Sequence, residues 1–148
     1  MSDNYDVVVI GGGAAGLSGA VALARSLRTV LVVDAGDPRN APAGHVHNFL
    51  TRDGTPPAEL YQQGRNEPAG DGGEVARARV QAVKRDGDRF QVDLGDRVVS
   101  ARRLLAATGA RDELADVQAQ VISAAAAGLM AGAAINADLI MTAAAAAR

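Results

Sequence analysis

The sequence predicts an α/β fold, three-layered around a central parallel sheet with a three-stranded β-meander, in one domain spanning residues 1–148. Three observations carry this expectation. Asp6-Val7-Val8-Val9-Ile10 is an apolar, largely β-branched run without alternation, the pattern of a strand buried on both faces. It passes directly into a glycine-rich turn, a helical stretch and a second buried run, Thr29–Val33, which together make one βαβ unit. From Glu74 the hydrophobic period changes to two, and turn signals then recur at short intervals.

Each element follows from its residues. Ala14 to about Leu27 is rich in helix formers, with Leu17, Val21, Ala24 and Leu27 falling on one side at helical spacing. Residues 35–57 are rich in Gly, Pro and Asn and have no period, so they read as a long loop, which in a compact domain is usually functional or mobile. Pro57 opens a short helix expected to end near Asn66. Ala76, Ala78, Val80 and Ala82 alternate with polar residues and predict one strand over 75–83. Asp86-Gly87 is a hairpin signal, and strands are expected over 89–94 and 97–101, with Gly95-Asp96 between them. Arg103–Ala107 reads as a further buried strand closed by Thr108-Gly109, and Val117 to about Met141 as an Ala-rich helix.

Composition narrows the function. At 148 residues the chain is long enough for one self-sufficient core. The formal net charge is −2 and the 15 basic residues are scattered, so no nucleic-acid stripe is present, and 3% aromatics are too few for base stacking. With no cysteine there is no disulfide framework and no thiol nucleophile. His45 and His47 share a loop without the partners a metal site requires, so no metal is expected. The opening Met1–Asp6 is acidic and lacks a cationic leader region, so no secretory signal is read and a cytoplasmic location is expected. The stretch 117–141 is long enough to span a bilayer and holds Gly128-x-x-x-Gly132, a close-packing motif of membrane helices. Gln118, Gln120, Ser123, Asn136 and Asp138 interrupt it, and a helix buried against the sheet is the better reading, with no membrane partner.

Gly11-x-Gly13-x-x-Gly16 is a dinucleotide fingerprint in its required context, after a strand and opening a helix. Gly11 permits the tight turn, Gly13 lets the backbone approach a pyrophosphate, and Gly16 lets the helix lie close to the strand. The helix N-terminus, with Ala14 and Ala15, offers free N–H groups and a positive dipole to phosphates. Asp34 ends the second strand, where a carboxylate accepts hydrogen bonds from ribose hydroxyls and repels a 2′-phosphate. The whole is Rossmann-like.

Residues 5–16, the segment Asp34-Ala-Gly-Asp-Pro-Arg-Asn40, the segment His47-Asn-Phe-Leu-Thr-Arg-Asp-Gly54, the turn Leu105-Ala-Ala-Thr-Gly109 and the stretch Gln120–Gly128 resemble the thioredoxin-reductase-like pyridine nucleotide-disulfide oxidoreductases. Residues 1–117 resemble the N-terminal part of that family's flavin domain and 118–148 its C-terminal helix. The resemblance implies FAD as cofactor. It places Ala35, Arg39, Asn40, His47 and Asn48 at the cofactor, Asn48 beside the flavin, the backbone of Val80 at adenine, and Ala107, Thr108 and Gly109 near the pyrophosphate. It gives Gln120 and Val121 the helix start that faces the isoalloxazine, where a helix N-terminus stabilises the charge of reduced flavin. Asn48 also reads as a plain turn cap, Thr108 as a plain strand end and Gln120 as a solvated helix residue.

The departures are equally informative. The second Gly-x-Gly-x-x-Gly and the Cys-x-x-Cys that the family carries between these two parts are not in this sequence, and Asp116 is the only acid close before the last helix. The expectation is therefore FAD binding by a minimal flavoprotein without disulfide reductase chemistry. If it is catalytic, it is an FAD-dependent oxidoreductase, although no residue stands out as acid, base or nucleophile. A non-enzymatic flavin-binding scaffold, natural or designed, and an NAD-binding domain remain as alternatives. A homodimer is the expected assembly.

Overall fold

The computed structural model describes residues 3–37, 44–109 and 121–147. The elements run β1 (Asn4–Ile10), α1 (Ala14–Arg25), β2 (Val30–Asp34), α2 (Pro57–Gly70), β3 (Glu74–Arg77), β4 (Ala82–Asp86), β5 (Arg89–Asp93), β6 (Val98–Ala106) and α3 (Val121–Ala146). The strands form a six-stranded sheet in the order β3-β2-β1-β6-β5-β4. β3, β2, β1 and β6 pair in parallel, and β5 and β4 continue the sheet antiparallel. The fold is α/β and Rossmann-like, with the parallel strands β3, β2, β1 and β6 forming one side of the sheet and the meander β4-β5-β6 the other.

The β-branched run of β1 is central because it can be buried on both faces. Val7 and Val9 join Val30 and Val32 on the face that carries the helices, where Leu17, Ala20 and Leu23 of α1, Tyr61 of α2, Leu105 of β6 and Leu139 of α3 complete one core. Tyr5, Val8, Leu31 and Val33 look the other way and meet Val92, Leu94, Val99 and Ala101 of the meander, flanked by Ala78 and Val80. Two apolar layers thus clamp the sheet, and Val7–Val9 and Val30–Val33 in its middle are inaccessible to water, which explains the missing alternation.

Four boundaries differ from expectation. The alternating run 75–83 is two strands: β3 registers Asp34 against Arg77, and pairing with β5 starts with Gln81 N–H donating to the Asp93 carbonyl at 2.8 Å. One run of sequence changes partner midway, which periodicity alone does not reveal. Conversely, the strands expected at 97–101 and 103–107 are one continuous β6, pairing with β5 at its start and with β1 along the rest. Arg102 and Arg103 do not interrupt it, because their guanidinium groups find Asp6 at 3.0 Å and Asp138 at 2.6 Å. α2 continues through Pro68 to Gly70, with Pro68 buried. α1 stops at Arg25, so Leu27 lies outside it, 92% exposed rather than on its apolar side.

α3 also departs from expectation. It packs chiefly on α1, not on the sheet, and little of its apolar length is buried. Gly128 and Gly132 make the contact possible: a Cβ on Gly128 would strike Ala15, and one on Gly132 would lie 2.7 Å from the Gly19 carbonyl oxygen. Leu139, wholly buried, and the bonds Arg28–Asn136 (2.7 Å) and Arg103–Asp138 fix its far end. By length and composition α3 is the one helix, among the described residues, that could cross a membrane.

Candidate functional site

In an open parallel sheet the carboxyl ends of the strands and the helix N-termini that follow them form the natural ligand edge. Here that edge comprises the turn after β1, the end of β2, the stretch leaving β3 and the turn after β6. Backbone bonds tie these together. Gly11 N–H donates to the Val33 carbonyl at 2.9 Å, Ala107 N–H to the Ile10 carbonyl at 2.8 Å, and Ala78 N–H to the Asp34 carbonyl at 3.1 Å.

The three fingerprint glycines meet different surroundings. Gly11 has φ +115°, and a Cβ there would collide with the Ala107 carbonyl. A Cβ on Gly16 would collide with the Gly11 carbonyl and sit 3.2 Å from Val9 Cγ1. These two are demanded by the chain itself. Gly13 is not: its φ of −81° suits any residue, and a Cβ there would meet nothing within 4 Å. It is the N-cap of α1, and no side chain caps that helix. A glycine opening onto free space at an uncapped helix N-terminus fits a bound diphosphate, which needs close backbone approach and unpaired N–H donors.

Asp34 reaches back over this turn. A Cβ on Gly12 would lie 2.6 Å from Asp34 Oδ2, so the carboxylate occupies the room that Gly12 leaves. Asp34 Oδ1 accepts from Gly36 N–H at 2.9 Å, and Oδ2 accepts from Arg65 Nη1 at 3.1 Å. Arg65 comes from α2 and was not anticipated. The signal was available: Pro57, Tyr61 and Pro68 form the buried face of α2, and Arg65 falls on that same face. A charge on a buried stripe needs a partner. Arg77, registered against Asp34, packs on Gly36, where a Cβ would lie 2.8 Å from Nη2.

The structure therefore gathers Gly11, Gly13, Ala14, Ala15, Gly16, Asp34, Ala35 and the Ala107–Gly109 turn along one edge. Ala35, Thr108 and Gly109 are exposed, and Gly109 has φ +79°. Val80 lies in the stretch that leaves β3 beside Asp34 and packs its side chain on the meander-side core. His47 and Asn48 belong to a separate closed loop. Its neck is Val46 N–H donating to Thr55 O and Gly54 N–H to Val46 O, both 2.8 Å. Asn48 has φ +58°, and its N–H donates to Asp53 Oδ1 at 2.9 Å. The next residues, Phe49–Arg52, line a cavity of about 440 Å³ with Ala14, Leu17, Tyr61, Ala125 and Leu129, which brings the loop beside the start of α1. Val121 opens α3. Arg39, Asn40, Asp116 and Gln120 lie outside the described residues.

Among the described residues no group of three His, Cys, Asp or Glu could hold a metal. Two side chains with displaced pKa values, Tyr5 and Asp6, sit at the opposite, amino end of the sheet. Burial, reinforced by the bond to Glu74 Oε2 at 3.0 Å, pushes the Tyr5 phenol up. Burial would also push Asp6 up, but hydrogen bonds from Thr29 and Arg102 outweigh it and hold the carboxyl below its ordinary value. What the carboxyl edge can do is bind: it offers helix N–H groups to a diphosphate and a fixed carboxylate to a diol.

The family model of the pyridine nucleotide-disulphide oxidoreductases matches residues 5–140. The thioredoxin reductase sirT of Leptosphaeria maculans is 38% identical over 119 residues, 77% of this chain and 36% of that protein. The thioredoxin reductase tcpT of Claviceps purpurea is 33% identical over 121 residues, 78% of this chain and 38% of its own length. Among solved structures, HlmI superposes with a TM-score of 0.70 at 48% identity, covering 79% of this chain and 38% of HlmI. The oxidoreductase from Agrobacterium tumefaciens gives 0.69 at 37% identity, covering 77% of this chain and 39% of its own. The chain thus spans well under half the length of these relatives.

Proposed function

Because the chain belongs to the pyridine nucleotide-disulphide oxidoreductase family, we propose that it binds FAD non-covalently along the carboxyl edge of its parallel sheet. The observation that carries this reading is Gly13, which opens onto free space at an uncapped helix N-terminus while its two neighbours in the motif are demanded by the fold. The N–H groups of Gly13, Ala14 and Ala15 would face the pyrophosphate, and Asp34 would accept from the adenosine ribose. The family resemblance gives Ala107–Gly109, Asn48 and the start of α3 at Val121 to the rest of the cofactor. When bound, FAD supplies two-electron and one-electron transfer, which no side chain here provides.

The chain has no cysteine, so a disulfide reductase reaction of its own is not part of the proposal. Its role is that of a minimal flavoprotein. The test is titration of the purified chain with FAD, followed by visible absorbance and flavin fluorescence. Stoichiometric uptake with a shifted flavin spectrum is expected. A chain that takes up NAD and leaves FAD free would overturn the reading in favour of a plain nicotinamide dinucleotide domain.

A further inference from the structure

The electrostatics at Asp34 extend the site to a residue outside the βαβ unit. Both carboxylate oxygens are held in the chain itself, Oδ1 by Gly36 N–H at 2.9 Å and Oδ2 by Arg65 Nη1 at 3.1 Å. The Asp34 side chain is 15% exposed and that of Arg65 36%, so the pair is partly shielded from water. Each oxygen keeps a second lone pair, and the orientation of the carboxylate is set before any ligand arrives. α2 is placed to do this. Tyr61 is buried in the helix-side core, and a Cβ on Gly64 would sit 3.1 Å from Leu17 Cδ1, so α2 lies close on α1 with Arg65 one residue further, beside Asp34.

We propose that Arg65 is a positioning residue for the adenosine end of the site, fixing Asp34 so that its free lone pairs meet a ribose diol. The inference rests on the dinucleotide reading above. A carboxylate locked by two donors loses little further freedom on binding, whereas a free one must be ordered by the ligand. Arg65 also offsets the charge of Asp34, so that a hydroxyl-bearing ribose meets a balanced pair instead of a lone anion.

The test uses wild type, Arg65→Gln, Arg65→Lys, Asp34→Asn and the double variant Arg65→Gln/Asp34→Asn, titrated with FAD, ADP and FMN. Arg65→Gln is expected to weaken FAD and ADP by a similar factor, about five- to tenfold, or about 1–1.4 kcal/mol at 1.4 kcal/mol per tenfold. FMN, which lacks adenosine, is expected to be unaffected. Arg65→Lys keeps the cation and is expected to fall between, and it stands in should Arg65→Gln fold poorly. The double variant is expected to bind no more weakly than Asp34→Asn, because Arg65 acts only through Asp34. An Arg65→Gln protein that binds ADP within twofold of wild type, or losses that add in the double variant, would overturn the positioning role and leave the FAD reading standing. A wild type that binds neither FAD nor ADP would overturn both.

Discussion

Gly13 and Asp34 separate the demands of the fold from those of a ligand. Gly13→Ala adds a methyl into open space at an ordinary φ, so thermal stability should barely change, while FAD affinity should fall because the methyl stands where a diphosphate approaches. Gly11→Ala and Gly16→Ala should instead lower the melting temperature, since each methyl meets backbone. If Gly13→Ala binds FAD like wild type, the space above it is not the diphosphate site. Asp34→Ala should weaken FAD binding by about 1–3 kcal/mol, the range for unpaired polar groups, as read from a binding isotherm. Asp6 gives a prediction about pH. Its folded-state pKa lies below the ordinary value of 3.8, so the ionised form favours the folded state. That contribution is complete above the ordinary value and is lost as pH falls through the folded one. Asp6→Asn should therefore destabilise by about 1–3 kcal/mol near neutrality. The gap to wild type should close below about pH 4, measured by urea unfolding across pH. A gap that stays constant down to acid would exclude the ion pair as its source.

At the scale of elements, the α1 terminus offers a stabilising change. Arg28 N–H donates to Leu23 O at 3.1 Å and Leu27 N–H to Ala24 O at 2.9 Å, the two bonds of a Schellman cap, with Leu27 at φ +59° where glycine is usual. Leu27→Gly should raise stability by about 0.5–1 kcal/mol, because relief of the left-handed strain exceeds the added entropy of the unfolded chain. A lower melting temperature would mean that the 92%-exposed leucine makes a contact the cap does not need. The same region shows what was legible in the sequence. β1, α1, β2 and the glycine turn could be read because their signals are local: unbroken β-branched runs and a motif between them. The partner switch between β3 and β4 could not, since alternation over 75–83 is blind to which neighbour a strand takes. Nor could the continuity of β6, whose arginines look like a break until Asp6 and Asp138 arrive from distant parts of the chain. Arg65 lies on the buried face of α2, but its partner Asp34 is met only when α2 is laid across α1.

For the whole molecule, the absence of cysteine and of a second glycine fingerprint predicts no NADPH-driven reduction of a disulfide by these 148 residues beyond that of free FAD, measured by thiol release. The surface of α3 leads to a further expectation. Leu129, Met130, Ile140 and Met141 are 51%, 69%, 52% and 71% exposed. The pairs 129/140 and 130/141 are each eleven residues apart, just over three full turns, so the four side chains share one outward stripe. Ala133 and Ala137 between them are exposed as well, and the opposite face is spent on α1 through Gly128 and Gly132. A contiguous apolar stripe of this length is unfavourable in water and tends to be covered by association. A second copy is the simplest cover, because a two-fold axis lays the stripe on itself. We therefore expect light scattering to give a dimer mass at micromolar concentration, and Met130→Glu with Met141→Glu to give a monomer of unchanged fold. FAD affinity should be the same in both, because neither Met130 nor Met141 lines the cavity beside the start of α1. A wild-type chain that stays monomeric at every concentration would show that the stripe is tolerated bare, and the dimer would have to be abandoned.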